Sequence, residues 1–132
     1  METVVVDDTW YTEIGGDPAA PATAREMLTE RLGERTPADT LHDLHLLTTE
    51  LVTNAVLHAR ADTIVMQVAA DRARVRVSVT DPGTTEDVPA VQPLDHDATG
   101  GMGLFLVEQI SSSWGVERMA DGANRVWFEL AA

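Results

Sequence analysis

Three short stretches of this chain carry side chains whose types and spacing can do chemistry. The first holds Glu50, Asn54 and His58, at i, i+4 and i+8 in the run 41–59. At about 100° per residue on a helix they form one stripe. Leu44, Leu47, Leu51, Val52 and Ala55 cover much of the remaining surface, so a carboxylate and a carboxamide sit among aliphatics. Buried polar groups are costly unless satisfied, and a cation, a water or phosphate oxygens would satisfy these. The plainer reading is the wet edge of an amphipathic helix, with His58 as a cap near its C-terminus.

The second stretch is Asp81-Pro82-Gly83, directly after the strand-like run V-S-V-T. Binding residues often lie where strands end in loops. Pro82-Gly83 forces a turn and lets a ligand approach the backbone, although an ordinary Asp-Pro-Gly turn fits equally well. The third is Gly100-Gly101-Met102-Gly103-Leu104, which runs into a helical pattern. Free N–H groups at a helix start, with glycines lacking Cβ, make an anion site suited to phosphate. No Gly-Lys-Ser/Thr follows, so this is not a P-loop, and the G-x-G-x-x-G spacing of a dinucleotide fingerprint is absent. A flexible cap-and-turn is the alternative.

The elements that must position these residues can be read from periodicity. Residues 2–7 and 9–14 are rich in Val, Thr, Trp, Tyr and Ile and read as one or two strands or a hairpin-like entry. Residues 19–33 read as a helix with Gly33 at its C-terminus, and 41–59 as a longer one that Asp39 or Thr40 caps. Runs 63–70 and 73–80 read as strands. In the second, Val75, Val77 and Val79 alternate with Arg74, Arg76 and Ser78, which predicts one buried and one wet face. Residues 81–100, with Pro82, Pro89 and Pro93, form a long loop of the kind that serves as a lid. A helix over 104–112 follows, then strands 114–119 and 125–130 around the turn at 121–124. The expected fold is an α/β two-layer sandwich: a mixed, mostly antiparallel sheet with helices on one face.

Composition narrows the function. At 132 residues, 44% of them apolar, the chain is expected to be one domain spanning 1–132. There is no cysteine, so no disulfide framework and no thiolate metal site. His42 and His45 lack a third ligand at useful spacing. Nine basic residues face 22 acidic ones, a net charge of −13. That argues against a direct nucleic-acid reader and for a partner with a basic surface. The N-terminus has no basic, apolar leader and no stretch is long enough to span a bilayer, so a cytoplasmic location without membrane attachment is expected.

Order along the chain adds more than any one motif. Glu-x-x-x-Asn-Ala on a helix, Asp-x-Gly after a strand and Gly-x-Gly-Leu opening a helix together resemble the GHKL (Bergerat-fold) ATPase superfamily. E-L-V-T-N-A-V-x-H-A, G-x-G-L-F-L-V and S-x-x-W-G are closest to the bacterial anti-sigma-factor serine/threonine kinases. The resemblance spans about residues 15–130. It implies ATP and Mg²⁺, with Glu50 as general base toward a protein hydroxyl and Asn54 as Mg²⁺ ligand. It further implies that Asp81 accepts a hydrogen bond from the adenine amino group and that Gly83 admits the base. Gly100, Gly101, Met102, Gly103 and Leu104 would wrap the phosphates, and 84–99 would be the lid. The implied partners are a sigma factor and an antagonist protein that is phosphorylated, and relatives imply a homodimer. A sequestering module with little kinase activity is the alternative reading. The phosphoacceptor helices of a histidine kinase are not seen here. Leu57, Met102 and Thr85 depart from the family pattern, which has Lys or Arg, Arg and Gly there. Arg60 is a candidate replacement for one missing cation. Phosphate binding without those cations is expected to be weaker.

Overall fold

The computed structural model describes residues 8–59, 62–82 and 99–131. The strand expected at 2–7, Arg60, Gly83, Thr85 and the lid segment up to residue 98 lie outside the described residues. In chain order the elements are strand β1 (Asp8–Gly15), helices α1 (Ala20–Leu32) and α2 (Ala38–Asn54), and a π-helical turn (Ala55–Ala59). Strands β2 (Thr63–Ala70) and β3 (Arg74–Asp81) come next, then helix α3 (Thr99–Ile110) and strands β4 (Ser113–Arg118) and β5 (Asn124–Ala131). The sheet order is β1-β2-β3-β5-β4, and every pairing is antiparallel.

Alternation decides which face of the sheet is buried. Ile64, Met66 and Val68 on β2, Val75, Val77 and Val79 on β3, and Val126, Phe128 and Leu130 on β5 all point to one side. Leu28 and Leu32 of α1, Leu44, Leu47 and Leu51 of α2, and Leu104 and Val107 of α3 cover that side. Each fully buried side chain of this size contributes about 1.5–3 kcal/mol of transfer free energy. The result is the expected two-layer arrangement, with helices on one face and the other face open.

Side-chain oxygens shape the turns. Asp71 Oδ1 accepts hydrogen bonds from the N–H groups of Ala73 (2.7 Å) and Arg74 (3.0 Å), closing the β2–β3 hairpin. Asp121 Oδ1 does the same for Ala123 N–H (2.9 Å) between β4 and β5. There Gly122 takes φ = 92°, a conformation that residues with a Cβ rarely adopt.

The helix layer is pinned by polar bonds. Arg25 on α1 donates to Thr49 Oγ1 (2.9 Å), and that hydroxyl donates to the His45 carbonyl (2.7 Å). Thr29 Oγ1 and His45 Nε2 lie 2.9 Å apart. His45 is therefore committed to holding α1 against α2, and partial burial, with Arg25 and His42 nearby, keeps its pKa below the usual imidazole value. These bonds fix the rotation of α2 and so the direction of the stripe that begins at Glu50. Among the described residues, no helix is long and apolar enough to cross a membrane.

Two boundaries differ from the sequence expectation. Helix α2 starts at Ala38, with Pro37 (φ −57°) at the N-cap position, rather than after Asp39 or Thr40. Proline has no N–H to leave unsatisfied, and Asp39 instead faces the helix dipole from the first turn. Helix α3 starts at Thr99, so the glycines form its first turn rather than a loop before residue 104.

On the open face, the Trp127 indole lies flat over Gly115 of the neighbouring strand. A Cβ at Gly115 would sit 2.6 Å from the indole nitrogen. The Arg76 guanidinium covers the ring at 3.9 Å. Gly115→Ala is expected to lift the indole and separate it from Arg76, costing about 1–2 kcal/mol. Urea unfolding followed by tryptophan emission reads both effects.

Candidate functional site

The candidate site draws on the C-terminal end of α2, the end of β3 and the start of α3. Helix α2 packs against α3, and both α2 and the π-helical turn touch β3. Glu50 is half-buried on α2. Burial raises its carboxyl pKa above the ordinary glutamate value, because desolvation disfavours the charged form.

Asn54 is the last residue of α2. Its Nδ2 is buried and finds no hydrogen-bond partner among the described residues. Such an orphan carries a desolvation cost of about 1–3 kcal/mol that a ligand can offset. A carboxamide with one unsatisfied end suits a site for a hydrated cation and phosphate oxygens, since its two ends supply a donor and an acceptor.

The turn after Asn54 is π-helical. Such i→i+5 turns cluster at functional sites, because they re-aim the residues around them. The widened turn breaks the i+4 register. Glu50 and Asn54 both lie on the regular part of α2, and the His58 side chain, in the turn beyond it, is not among those described. Leu57, in the same turn, is 57% exposed.

Asp81 ends β3 with its side chain on the helix-covered side, only 6% exposed. A carboxylate at that depth, between a helix layer and a strand end, is well placed to read a polar edge of a flat ligand. Gly83 lies outside the described residues. At the start of α3, the first backbone N–H groups, at residues 99–102, have no partner inside the helix, the arrangement that suits an anion. Leu104 sits one turn in and is buried, anchoring that end in the core. Nothing is described of the side chains between Thr99 and Gly103.

Sequence reasoning missed Asn124. It fell in the span read as a turn, but it is the first residue of β5 and the cross-strand partner of Asp81. It is 3% exposed, on the same face as Asp81. The signal was present in the alternation Asn124, Val126, Phe128, Leu130, extended back by one step.

Comparison with known proteins follows this geometry. The family model described as histidine kinase-like ATPase domain matches residues 14–130. No curated protein sequence matches. Among solved structures, the chain is similar to the crystal structure of the RsbU and RsbW domains of Rv1364c from Mycobacterium tuberculosis. The TM-score is 0.70 at 22% identity, over 93% of this chain and 32% of that one. This chain thus spans about a third of the length of that solved chain, and at this identity the likeness speaks for the fold.

Proposed function

The chain belongs to the histidine kinase-like ATPase domain family, and from that premise we propose that it binds ATP with Mg²⁺ and transfers the γ-phosphate to a protein serine or threonine. The observation that carries this reading is a pair of buried polar groups on the helix-covered side of the sheet. They are the Asp81 carboxylate and the unsatisfied amide of Asn54. A nucleotide would satisfy the orphaned Asn54 amide, and its base would offer the buried Asp81 carboxylate a polar edge to read.

In this reading Asp81 accepts a hydrogen bond from the adenine amino group. Asn124, beside it on β5, holds the base edge or the Asp81 carboxylate. Asn54 holds Mg²⁺, and the backbone amides at the start of α3 receive phosphate oxygens. Bound Mg²⁺ would neutralise charge on the phosphates. Glu50 accepts the proton of the attacking hydroxyl, and its raised pKa brings its basicity closer to that task. By its motifs the chain resembles the anti-sigma-factor kinases, so the phosphorylated protein is the antagonist of a sigma factor that this chain also clamps. The net charge of −13 favours a clamp on a basic surface.

A second reading is favoured by Leu57. Family members often carry a cation there, whereas this chain exposes a leucine. An apolar side chain contributes nothing to phosphate and suits contact with a protein. The chain would then be a nucleotide-gated sequestering module with slow transfer. Label transfer from γ-labelled ATP to the captured partner separates the two readings: robust labelling eliminates the second.

Calorimetric titration with ATP and Mg²⁺ tests the shared core of both. No heat from the folded wild-type protein would overturn it. Asn54→Ala is expected to abolish the Mg²⁺ dependence of ATP affinity while leaving Mg²⁺-free binding within about twofold, because a metal-free nucleotide loses only one neutral contact. Titrations with and without EDTA read this directly.

A further inference from the structure

We infer that Arg118, the last residue of β4, holds the phosphate tail of the bound nucleotide, from the sheet side and below the start of α3. This rests on the nucleotide reading above and adds a cation to it. Strand register is the starting point. Asp81 pairs with Asn124, and Asn124 pairs with Arg118, so the three form one row across the end of the sheet. Alternation along β4 fixes the side on which Arg118 stands. Trp114 and Val116 pack against the core under the helices, and Arg118 is the next residue of that set. Glu117 lies between and turns to the open face, where it pairs with Arg125 (3.4 Å). An exposed arginine thus shares the helix-covered side with the buried Asp81 and Asn124.

Chain direction brings the start of α3 to the same end. Helix α3 finishes at Ile110, and the Ser112 N–H donates to the Glu129 carbonyl (2.8 Å). Strand β4 then begins at Ser113, opposite Glu129, at the end of the sheet away from Asp81. So short a connection makes helix and strand run in opposite directions. The twelve residues of α3 cover about 18 Å. The six residues of β4 cover about 20 Å. The first turn of α3, which packs on both β4 and α2, therefore returns to the level of Arg118. Its unsatisfied N–H groups and the guanidinium serve one corner of the site.

Charge gives that cation its weight. A protein at −13 repels a polyanionic nucleotide. Arg74, Arg76 and Arg125 are paired with Glu129 and Glu117 on the open face, and Arg25 is bonded to Thr49 in the helix layer. Arg118 is the arginine in the row that contains Asp81. Backbone amides at the helix start supply directional bonds to a phosphate oxygen, and a guanidinium adds a charge-assisted fork. Two strand spacings, about 10 Å, separate Arg118 from Asp81 along the row. A base read by Asp81 fills the near part of that span, which leaves Arg118 to the phosphates.

The test is calorimetric titration with ATP and Mg²⁺, set beside adenosine binding measured by competition against ATP. Arg118→Gln should weaken ATP about tenfold and leave adenosine within about twofold, because adenosine has no phosphate. Arg118→Lys keeps the charge without the fork and should fall between wild type and Arg118→Gln. Arg125→Gln removes the same charge from the opposite face and should leave ATP affinity unchanged. Thermal melting checks that each variant is folded. An Arg118→Gln protein that binds ATP as wild type does overturns the inference. Equal losses for ATP and adenosine would make Arg118 act on the base through Asn124, and overturn it too. So would an equal loss in Arg125→Gln, since net charge alone would then be the cause. A wild-type protein that gives no heat with ATP fails differently: it removes the nucleotide reading itself, and this inference with it.

Discussion

Asp81→Asn is expected to weaken ATP binding by at least about a hundredfold in calorimetric titration. The substitution is nearly isosteric, so the site keeps its shape. What changes is the hydrogen-bond sense. Asp81 is 6% exposed, so water cannot replace a lost partner there. A carboxylate oxygen that accepts from the adenine amino group is replaced by a carboxamide that can turn an N–H₂ toward that same donor. The charged hydrogen bond accounts for about 1.5–3 kcal/mol, and the leftover buried donor adds to it. The same reversal has a second consequence. Guanine and hypoxanthine carry an acceptor oxygen where adenine carries its amino group. The variant should therefore lose less affinity for GTP or ITP than for ATP, narrowing or inverting the selectivity. Thermal melting in the absence of nucleotide checks that the fold is retained. Unchanged ATP affinity in a folded variant would remove Asp81 from the base-binding site.

The residues behind that expectation were legible in the chain to different degrees, for physical reasons. Strand β3 announces itself because its period of two is unbroken from Arg74 to Ser78, and burial of Val75, Val77 and Val79 on one face follows. Asp81 inherits its direction from the same alternation: it is two steps on from Val79 and must point to the same side. The core stripe of α2 was equally clear, since aliphatics at helical spacing have few other uses. The π-helical turn was not. Nothing in A-V-L-H-A distinguishes i→i+5 from i→i+4 bonding, because both satisfy the same backbone groups and the choice is made by packing. The spacing of about 100° per residue therefore applies to α2 as far as Asn54, and the backbone beyond it follows a wider turn.

The start of α3 was misplaced for the opposite reason. Glycine has the lowest helix propensity apart from proline, and three glycines in four residues look like a breaker. At a helix start that cost is reduced, and a following run of Leu104, Phe105, Leu106 and Val107 supplies packing that outweighs it, with Leu104 and Val107 both buried. Asn124 was hidden by its neighbours. Asp121 and Gly122 form a real turn, and a turn-favouring asparagine next to them looks like part of it until the register with Asp81 is known.

Glu50 is the residue where function and stability should oppose each other. Glu50→Gln should cut γ-phosphate transfer by about 10²–10⁴-fold, the range for a lost general base, while ATP affinity stays within a few-fold of wild type. Transfer of label from γ-labelled ATP, set beside calorimetry, reads the two separately. The same variant should be more stable than wild type at neutral pH. Burial raises the Glu50 pKa in the fold, so the unfolded chain ionises first as pH rises. Ionisation therefore favours the unfolded state: the cost is absent below the ordinary glutamate pKa, grows as pH rises past it, and reaches its full size above the raised value. Glutamine never charges and escapes this cost. The melting-temperature gain of Glu50→Gln should thus be present at pH 7 to 8 and vanish near pH 4. The activity of wild type should rise with pH through the same raised pKa, because only the carboxylate can accept a proton. A glutamate that merely solvated the edge of α2 would show neither behaviour, since water would keep its pKa ordinary and its replacement neutral. A variant with wild-type transfer and an unchanged melting profile would return Glu50 to that role. Coincident midpoints for activity and stability would instead tie the proton acceptor to the half-buried carboxylate on α2.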